Sequence, residues 1–263
     1  MSAPVLTSPT RTLPAARGIA ARSLRNIRRL PSAFVPALLM PVVQVIAFSG
    51  TFFAITKIPG FPTDRSINWY LPLAVIMGSA FSGIGIGFST IRDIETGFYD
   101  RLRMAPAPRW SLLLGLLLSA WARTLLVVTL VFAVGVALGA RLTDGVLGLV
   151  LLYVAGLGTA TIGAGWGLGL AYRFGDMRAA AIMQLTLFLC LFLTSAQTPL
   201  SVMQGWLHGV VRVNPFTNIL RLARSGFLGG VTWNAVWGGL MAIAVLGSVS
   251  MWFARRGLST LDD

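Results

Sequence analysis

The chain has 263 residues, of which 56% are hydrophobic and 11% charged, with a mean hydropathy of +0.78. A soluble domain carries about 25% charged residues, so a water-soluble globule is excluded: too few polar side chains exist to cover it. The net charge is +13, but the arginines sit in short segments between apolar runs, which excludes the continuous basic face of a nucleic-acid binder and points instead to topology-setting charge with affinity for anionic lipid head groups.

Residues 1–33 carry six arginines (11, 17, 22, 25, 28 and 29) and no acid. Residues 1–14, with three prolines, read as disordered. From Arg17 to Leu30 the basic residues are interleaved with Ile19, Leu24, Ile27 and Leu30, the spacing of an amphipathic helix lying on the cytoplasmic membrane surface. The first 30 residues lack the apolar stretch of a signal peptide, so the first long apolar run is expected to serve as signal and anchor together.

The fold class expected is all-α and integral to the membrane, with six transmembrane helices. Six apolar segments, near 34–55, 69–91, 111–138, 146–172, 179–195 and 232–254, are each read as spanning the roughly 30 Å of hydrocarbon; the fifth is short. They divide the chain into a cytoplasmic tail (1–33), a six-helix membrane domain (34–254) and a second cytoplasmic tail (255–263). With the N-terminus inside, the segments 1–33, 92–110, 173–178 and 255–263 hold fourteen Lys and Arg residues, against six in 56–68, 139–145 and 196–231. That excess sets both termini in the cytoplasm, in a multi-pass protein of the plasma (inner) membrane. Trp69, Trp110, Trp233, Trp237 and Trp252 fall near the expected boundaries, where interface aromatics belong. In the fourth segment, Gly163-x-x-x-Gly167 and Gly165-x-x-x-Gly169 allow close approach of helix backbones.

Between the second and third spans lies IRDIETGFYDRLRMAPAPRW, residues 91–110. Ile91, Ile94, Phe98 and Leu102 form one apolar face, with Asp93, Glu95, Asp100, Arg101 and Arg103 around it. A helix over 91–105 is expected, stopped by Pro106 and Pro108, with Asp93 and Glu95 near its N-terminus, where negative charge suits the helix dipole. Such a helix is a docking surface for a soluble partner, with Phe98, Tyr99 and Leu102 as anchors; a solvated loop is the alternative. Residues 196–231 are too apolar for an ordinary outer loop and too interrupted by Pro199, Gly205, Gly209 and Pro215 to span. They read as two short re-entrant helices with a turn at Asn214-Pro215, or as a segment lying on the surface. Gln44, Arg123 and Gln184 are the polar groups inside apolar runs. An intramembrane charge is a functional hypothesis, but Arg123 can also snorkel to the inner interface.

These segments resemble the ABC-2 type exporter permeases, and more closely the membrane subunits of daunorubicin/doxorubicin-type ABC exporters. The resemblance rests on Asp93-x-Glu95-x-Gly97, Asp100-Arg101-Leu102, Pro106 and Arg109 before the third span, and on Pro199-Leu200, Gly205-Trp206-Leu207 and Asn214-Pro215-Phe216-Thr217. Gln204 stands where proline is common in the family. The resemblance implies a cytoplasmic coupling helix contributing Asp93, Glu95, Phe98, Tyr99, Arg101, Leu102 and Arg103. It implies an extracellular gate of Pro199, Trp206, Leu207, Asn214, Pro215 and Phe216 before the last span. It implies two permeases, either two copies or a copy and a paralogue, on two copies of an ABC ATPase that uses ATP and Mg, contacted also by the basic N-terminal helix.

The residues agree that this chain binds no nucleotide of its own. Lys57 is the only lysine, and Phe53-Ala54-Ile55-Thr56 before it is no P-loop. The expected function is therefore export of an amphipathic drug, lipid or lipid-linked molecule by a non-enzymatic permease subunit that binds no cofactor. A proton-coupled secondary transporter is the alternative, but no acid lies within an expected span. A membrane-embedded enzyme is a further one. A single histidine, His208, and a single cysteine, Cys190, provide neither a zinc pair nor a Cys-His pair.

Overall fold

The computed structural model describes residues 14, 17, 18, 20–22, 31–99 and 109–260. Its helices are α1 (Pro31–Thr51), α2 (Ser66–Glu95), α3 (Arg109–Ala137), α4 (Gly145–Phe174), α5 (Met177–Phe192), α6 (Gly205–Val213), α7 (Pro215–Ser225) and α8 (Trp233–Thr260), with short 3-10 turns at Phe53–Lys57 and Leu200–Val202. No strand occurs among the described residues. Each expected apolar span coincides with a helix. Four of them are long and apolar enough to cross a membrane: Ser66–Glu95, Ser111–Ala137, Gly145–Phe174 and Trp233–Ser259. Thirty residues of α-helix reach about 45 Å, well beyond about 30 Å of hydrocarbon. Leu38–Thr51 and Met177–Phe192 are apolar but shorter.

The long helices form because their apolar side chains leave the backbone no other way to satisfy its N–H and C=O groups away from water. Burial then ranks them. In its most apolar 18-residue stretch α2 is 78% buried, against 22% for α8, so α2 is the axis of the bundle. It packs against α1, α3, α4, α5 and α7, while α4 lies between α2 and α8.

Glycine spacing on α4 decides which helices meet it. Residues two apart on a helix point about 200° apart, so the two overlapping glycine pairs serve two neighbours. Gly163 and Gly167 face α2: a Cβ on Gly163 would stand 2.8 Å from the Ala80 carbonyl oxygen, and one on Gly87 of α2 would stand 2.8 Å from the Gly167 carbonyl carbon. Gly165 and Gly169 face α8, with a Cβ on Gly165 falling 2.6 Å from the Ser250 carbonyl carbon and one on Gly169 running into the Phe253 ring. The backbones touch, as small residues four apart permit.

Two expectations at the end of α2 are corrected. The helix foreseen over 91–105 does not start at 91: residues 91–95 are the last turns of α2. Asp93 and Glu95 therefore lie at a helix C-terminus, not an N-terminus. The apolar face through Ile84, Ile91 and Ile94 simply carries the spanning helix onward, until Thr96 and Gly97 stop it. Thr96 N–H bonds the Arg92 carbonyl, and Gly97 adopts φ +64°, a left-handed conformation that glycine enters without cost. A new helical turn starts at Phe98 and Tyr99. At the other terminus, α8 runs on through residues read as a tail, to Thr260. Arg17, Gly18 and residues 20–22 are helical. Arg101, Leu102 and Arg103, the stop expected at Pro106 and Pro108, and the apolar residues Ile19, Leu24, Ile27 and Leu30 lie outside the described residues, as does most of the segment read as disordered.

Candidate functional site

The candidate residues fall into three groups: at the arginine-rich end of the bundle, within its middle, and at the opposite end.

At the arginine-rich end the N-terminal arm is joined to α2. Arg22 Nη2 donates to Asp93 Oδ1 at 2.8 Å, and the Arg22 guanidinium lies 3.7 Å over the centre of the Phe98 ring, a cation–π contact. One arginine thus holds both sides of the Thr96–Gly97 break. The pair has a structural cause: Asp93 sits near the negative end of the α2 dipole, and Arg22 offsets that charge. Glu95 is exposed at the helix end and Phe98 is half-buried. Tyr99, expected beside Phe98 as a docking anchor, points the other way. It is 4% exposed, 5.6 Å from the Tyr172 ring, in a cluster with Leu113, Leu168 and Leu258. Neighbouring residues of a helical turn point about 100° apart, so one of the two aromatics faces outward and the other enters the core. The turn after α4 leans on the same place, with Gly175 close to the Ile94 side chain and Asp176 Oδ1 accepting from Arg178 N–H at 2.8 Å.

In the middle the three polar groups stay apart. Gln44 Nε2 donates to the Met77 sulfur at 2.8 Å, joining α1 to α2. Arg123 is at the midpoint of α3, with Nη1 beside Gly85 of α2, ten residues short of the end of α2. Gln184 is on the exposed face of α5. Two side-chain hydrogen bonds join α3 to α4, from Trp121 Nε1 to Thr161 Oγ1 at 2.9 Å and, about two turns away, between the hydroxyls of Thr129 and Tyr153 at 2.8 Å.

The opposite end is built on two side chains. Asn214 ends α6 and opens α7: its Oδ1 accepts the Phe216 N–H at 2.9 Å, capping α7, with Pro215 at the first turn. Its Nδ2 has two hydrogens and donates to the carbonyls of Cys190 and Leu193, each at 2.7 Å. Those carbonyls belong to the frayed end of α5, which has no helical donors for them. Arg224, at the end of α7, is 2% exposed. Its Nε donates to the Trp69 carbonyl at 3.2 Å, Nη1 to that of Ser195 at 2.6 Å and Nη2 to that of Ala196 at 2.7 Å, and its guanidinium lies 3.6 Å over the Trp69 ring. Its guanidinium is a cation at neutral pH, as arginine is in proteins. Tyr70 Oη donates to the Gln197 carbonyl at 3.1 Å, and Asn68 Nδ2 to that of Phe227 at 3.2 Å. The non-helical chain after α5 is thereby held by α2 and α7 together.

Of the expected gate residues, Asn214 and Phe216 are brought together at the start of α7, and Phe216 is buried. Pro199 is buried beside Trp69 and Arg224. Pro215 is exposed and Leu207 half-buried. Trp206 is 76% exposed, away from the others on α6, whose only buried residue is Val211. The two short helices therefore differ. Helix α7 packs its Ile219, Leu220, Leu222 and Ala223 face among α2, α4 and α8, whereas α6 stays outside.

Arg224 was missed by sequence reasoning, which counted it with Arg212 and Arg221 among the charges of the outer segments. A signal existed: Phe216, Ile219, Leu220 and Ala223 fall at i, i+3, i+4 and i+7 on the buried stripe of α7, and Arg224 follows Leu220 at i+4, whereas Arg221, four residues after Thr217, lies outside that stripe.

The sequence profile of the ABC-2 type transporter family matches residues 15–228, from the N-terminal arm through α7. A daunorubicin resistance ABC transporter permease protein from Streptomyces coeruleorubidus is 25% identical over 210 residues, covering 77% of this chain and 71% of that one. With apolar helices of spanning length and a match over most of its residues, the chain is a multi-pass membrane protein that belongs to the ABC-2 type transporter family.

Proposed function

We propose that this chain is the permease subunit of an ATP-driven exporter. The observation that carries the reading is the family match over residues 15–228, which takes in both the Arg22–Asp93 junction and the inserted helix α7. Helices α1 to α5 and α8 cross the plasma membrane, with both termini in the cytoplasm. The excess of arginine at one end supports that orientation. The 16 residues of α5 reach only about 24 Å, and residues 193–198 complete its crossing as a non-helical run of turn and bends. Irregular backbone at that depth is tolerated when protein groups satisfy it. The bonds from Arg224 to the Ser195 and Ala196 carbonyls meet that requirement. Helices α6 and α7 form a re-entrant pair in the outer leaflet, and Pro199, Trp206, Leu207, Asn214, Pro215 and Phe216 form the outer gate.

Energy comes from a separate ABC ATPase chain that binds ATP and Mg, two copies serving a pair of permeases; this chain binds no cofactor and is no enzyme. The ATPase docks where Arg22 of the N-terminal arm meets Asp93 and Phe98, beside Glu95, and Arg101, Leu102 and Arg103 are further proposed contacts. Tyr99 anchors that surface from inside. Closure of the ATPase pair must favour one arrangement of α2 and α3 over another, since a motion without differential contact couples nothing. The cargo is an amphipathic drug, lipid or lipid-linked molecule. The test is purification from native membranes with mass spectrometry of co-purifying chains, followed by transport in proteoliposomes. An ATPase carrying a P-loop is expected, with transport dependent on ATP. Transport by this chain alone on a proton gradient would overturn the reading.

A further inference from the structure

The end of the bundle that carries α6 and α7 holds a charge with no counterion among the described residues. Arg224 is enclosed, and its three bonds run to backbone carbonyls of Trp69, Ser195 and Ala196. Neutral acceptors satisfy part of its fork of five N–H groups but leave the unit charge standing. Among the described residues no carboxylate forms an ion pair with it.

Arg224 lines a cleft of about 270 Å³ together with Trp69, Pro62, Pro199, Leu200 and Arg221. Trp69 is 4% exposed, and its indole Nε1–H has no hydrogen-bond partner. An orphaned buried donor is uncommon in a folded protein and calls for an acceptor. Arg221 stands one turn before Arg224 on α7, exposed at the rim. Neither Asp nor Glu is among the residues that line the cleft, and its other walls are two prolines, two leucines, two serines, a glycine and an alanine.

That set of groups selects a ligand class. A cation would meet two guanidinium groups. A neutral apolar molecule would leave the indole N–H and the Arg224 charge unmet. We propose that this cleft binds the acidic head of an amphipathic anion, a carboxylate or phosphate, with its apolar part against Pro62, Pro199 and Leu200. Arg221 closes on the head with its planar fork, which matches carboxylate and phosphate oxygens two at a time. Trp69 supplies a neutral hydrogen bond, and Arg224 a fixed field. The head belongs either to a phospholipid of the surrounding leaflet or to a free amphiphile passing through the protein. The site stands on this geometry whether or not the chain exports, and the experiment below reads binding without transport.

The full chain, with any subunit that co-purifies, is placed in phosphatidylcholine nanodiscs and titrated with radiolabelled dodecyl phosphate. Saturable binding is expected, not displaced by dodecyltrimethylammonium. Arg221→Gln alters an exposed side chain and should weaken binding at least tenfold. Trp69→Phe keeps an aromatic ring on Arg224 while removing the N–H together with the second ring of the indole, and should weaken it about threefold. Native mass spectrometry after transfer to phosphatidylglycerol nanodiscs separates the two sources: retained phosphatidylglycerol lost in Arg221→Gln assigns the head to lipid, and its absence beside intact dodecyl phosphate binding assigns it to a free amphiphile. Unchanged dodecyl phosphate affinity in both variants, or equal displacement by the cationic detergent, would overturn the proposal.

Discussion

Arg22 and Asp93 meet at 2.8 Å across 71 positions of sequence, and this one pair ties the N-terminal arm to the end of the central helix. Both side chains are partly exposed, so the pair contributes at most about 1 kcal/mol to stability. Its weight lies in position, because the same guanidinium covers Phe98 and so holds the arm against the segment proposed to meet the ATPase. Arg22→Asp and Asp93→Arg should each reduce ATPase co-purification and transport, and the exchanged double variant should recover much of both. Equal loss in the double variant would show that the pair does not position the arm.

Phe98 and Tyr99, adjacent in sequence, should separate cleanly on substitution. Phe98→Ala removes a half-buried ring and should weaken ATPase pull-down with little change in thermal stability. Tyr99→Ala opens a cavity against Tyr172 and Leu113, at a cost of about 3 kcal/mol. It should lower the unfolding temperature in detergent. Scanning calorimetry or dye-based melting beside a pull-down checks both, and a stability loss in Phe98→Ala equal to that in Tyr99→Ala would contradict the assignment.

The α2–α4 contact predicts a position-specific response to added methyl groups. Gly87→Ala puts a Cβ against the backbone of Gly167 and must push two helices apart, destabilising by about 1–3 kcal/mol. Gly209→Ala on α6 meets nothing within 4 Å and should be neutral or slightly stabilising, since alanine is the better helix former by about 1 kcal/mol. The comparison of melting temperatures is direct, and equal effects would argue against close backbone contact.

Asn214 acts through both ends of its amide. Asn214→Ala removes the α7 cap and both donors to the end of α5, for a loss of about 2 kcal/mol. Asn214→Asp keeps an acceptor for the Phe216 N–H but turns oxygen toward the Cys190 and Leu193 carbonyls. It should therefore be no more stable than the alanine variant, although aspartate is ordinarily a good cap. Wild-type stability in Asn214→Asp would show that the two carbonyl bonds carry little.

Much of the skeleton was legible beforehand because the constraint behind it is local. Apolar runs near 20 residues leave helix as the available backbone, which is why α3 and α4 appear close to 111–138 and 146–172. The glycine pairs on α4 likewise announced close packing. The end of α2 was misjudged because Thr96-Gly97 was read as part of an amphipathic helix, whereas Gly97 in a left-handed conformation marks its stop. The dual partners of Arg22 had no sequence signal, since nothing local links positions 22, 93 and 98.

By itself the sequence determined that this is a helical membrane protein, where its long helices lie and which residue types meet at α4, because length, hydropathy and glycine spacing act within one segment. Only the tertiary structure decided which apolar side chains face protein and which face outward. Leu126 is 51% exposed and its neighbour Val127 is 2% exposed, yet both are equally apolar. Lipid tails and protein interior are alike to such side chains, so the alternation of polar and apolar residues that marks a buried face in water is absent here. The same decision fell to packing for Arg221 and Arg224. Three residues apart on one short helix, they carry the same side chain. Only the placement of α7 beside Trp69 and the carbonyls of Ser195 and Ala196 made one a surface charge and the other a buried one.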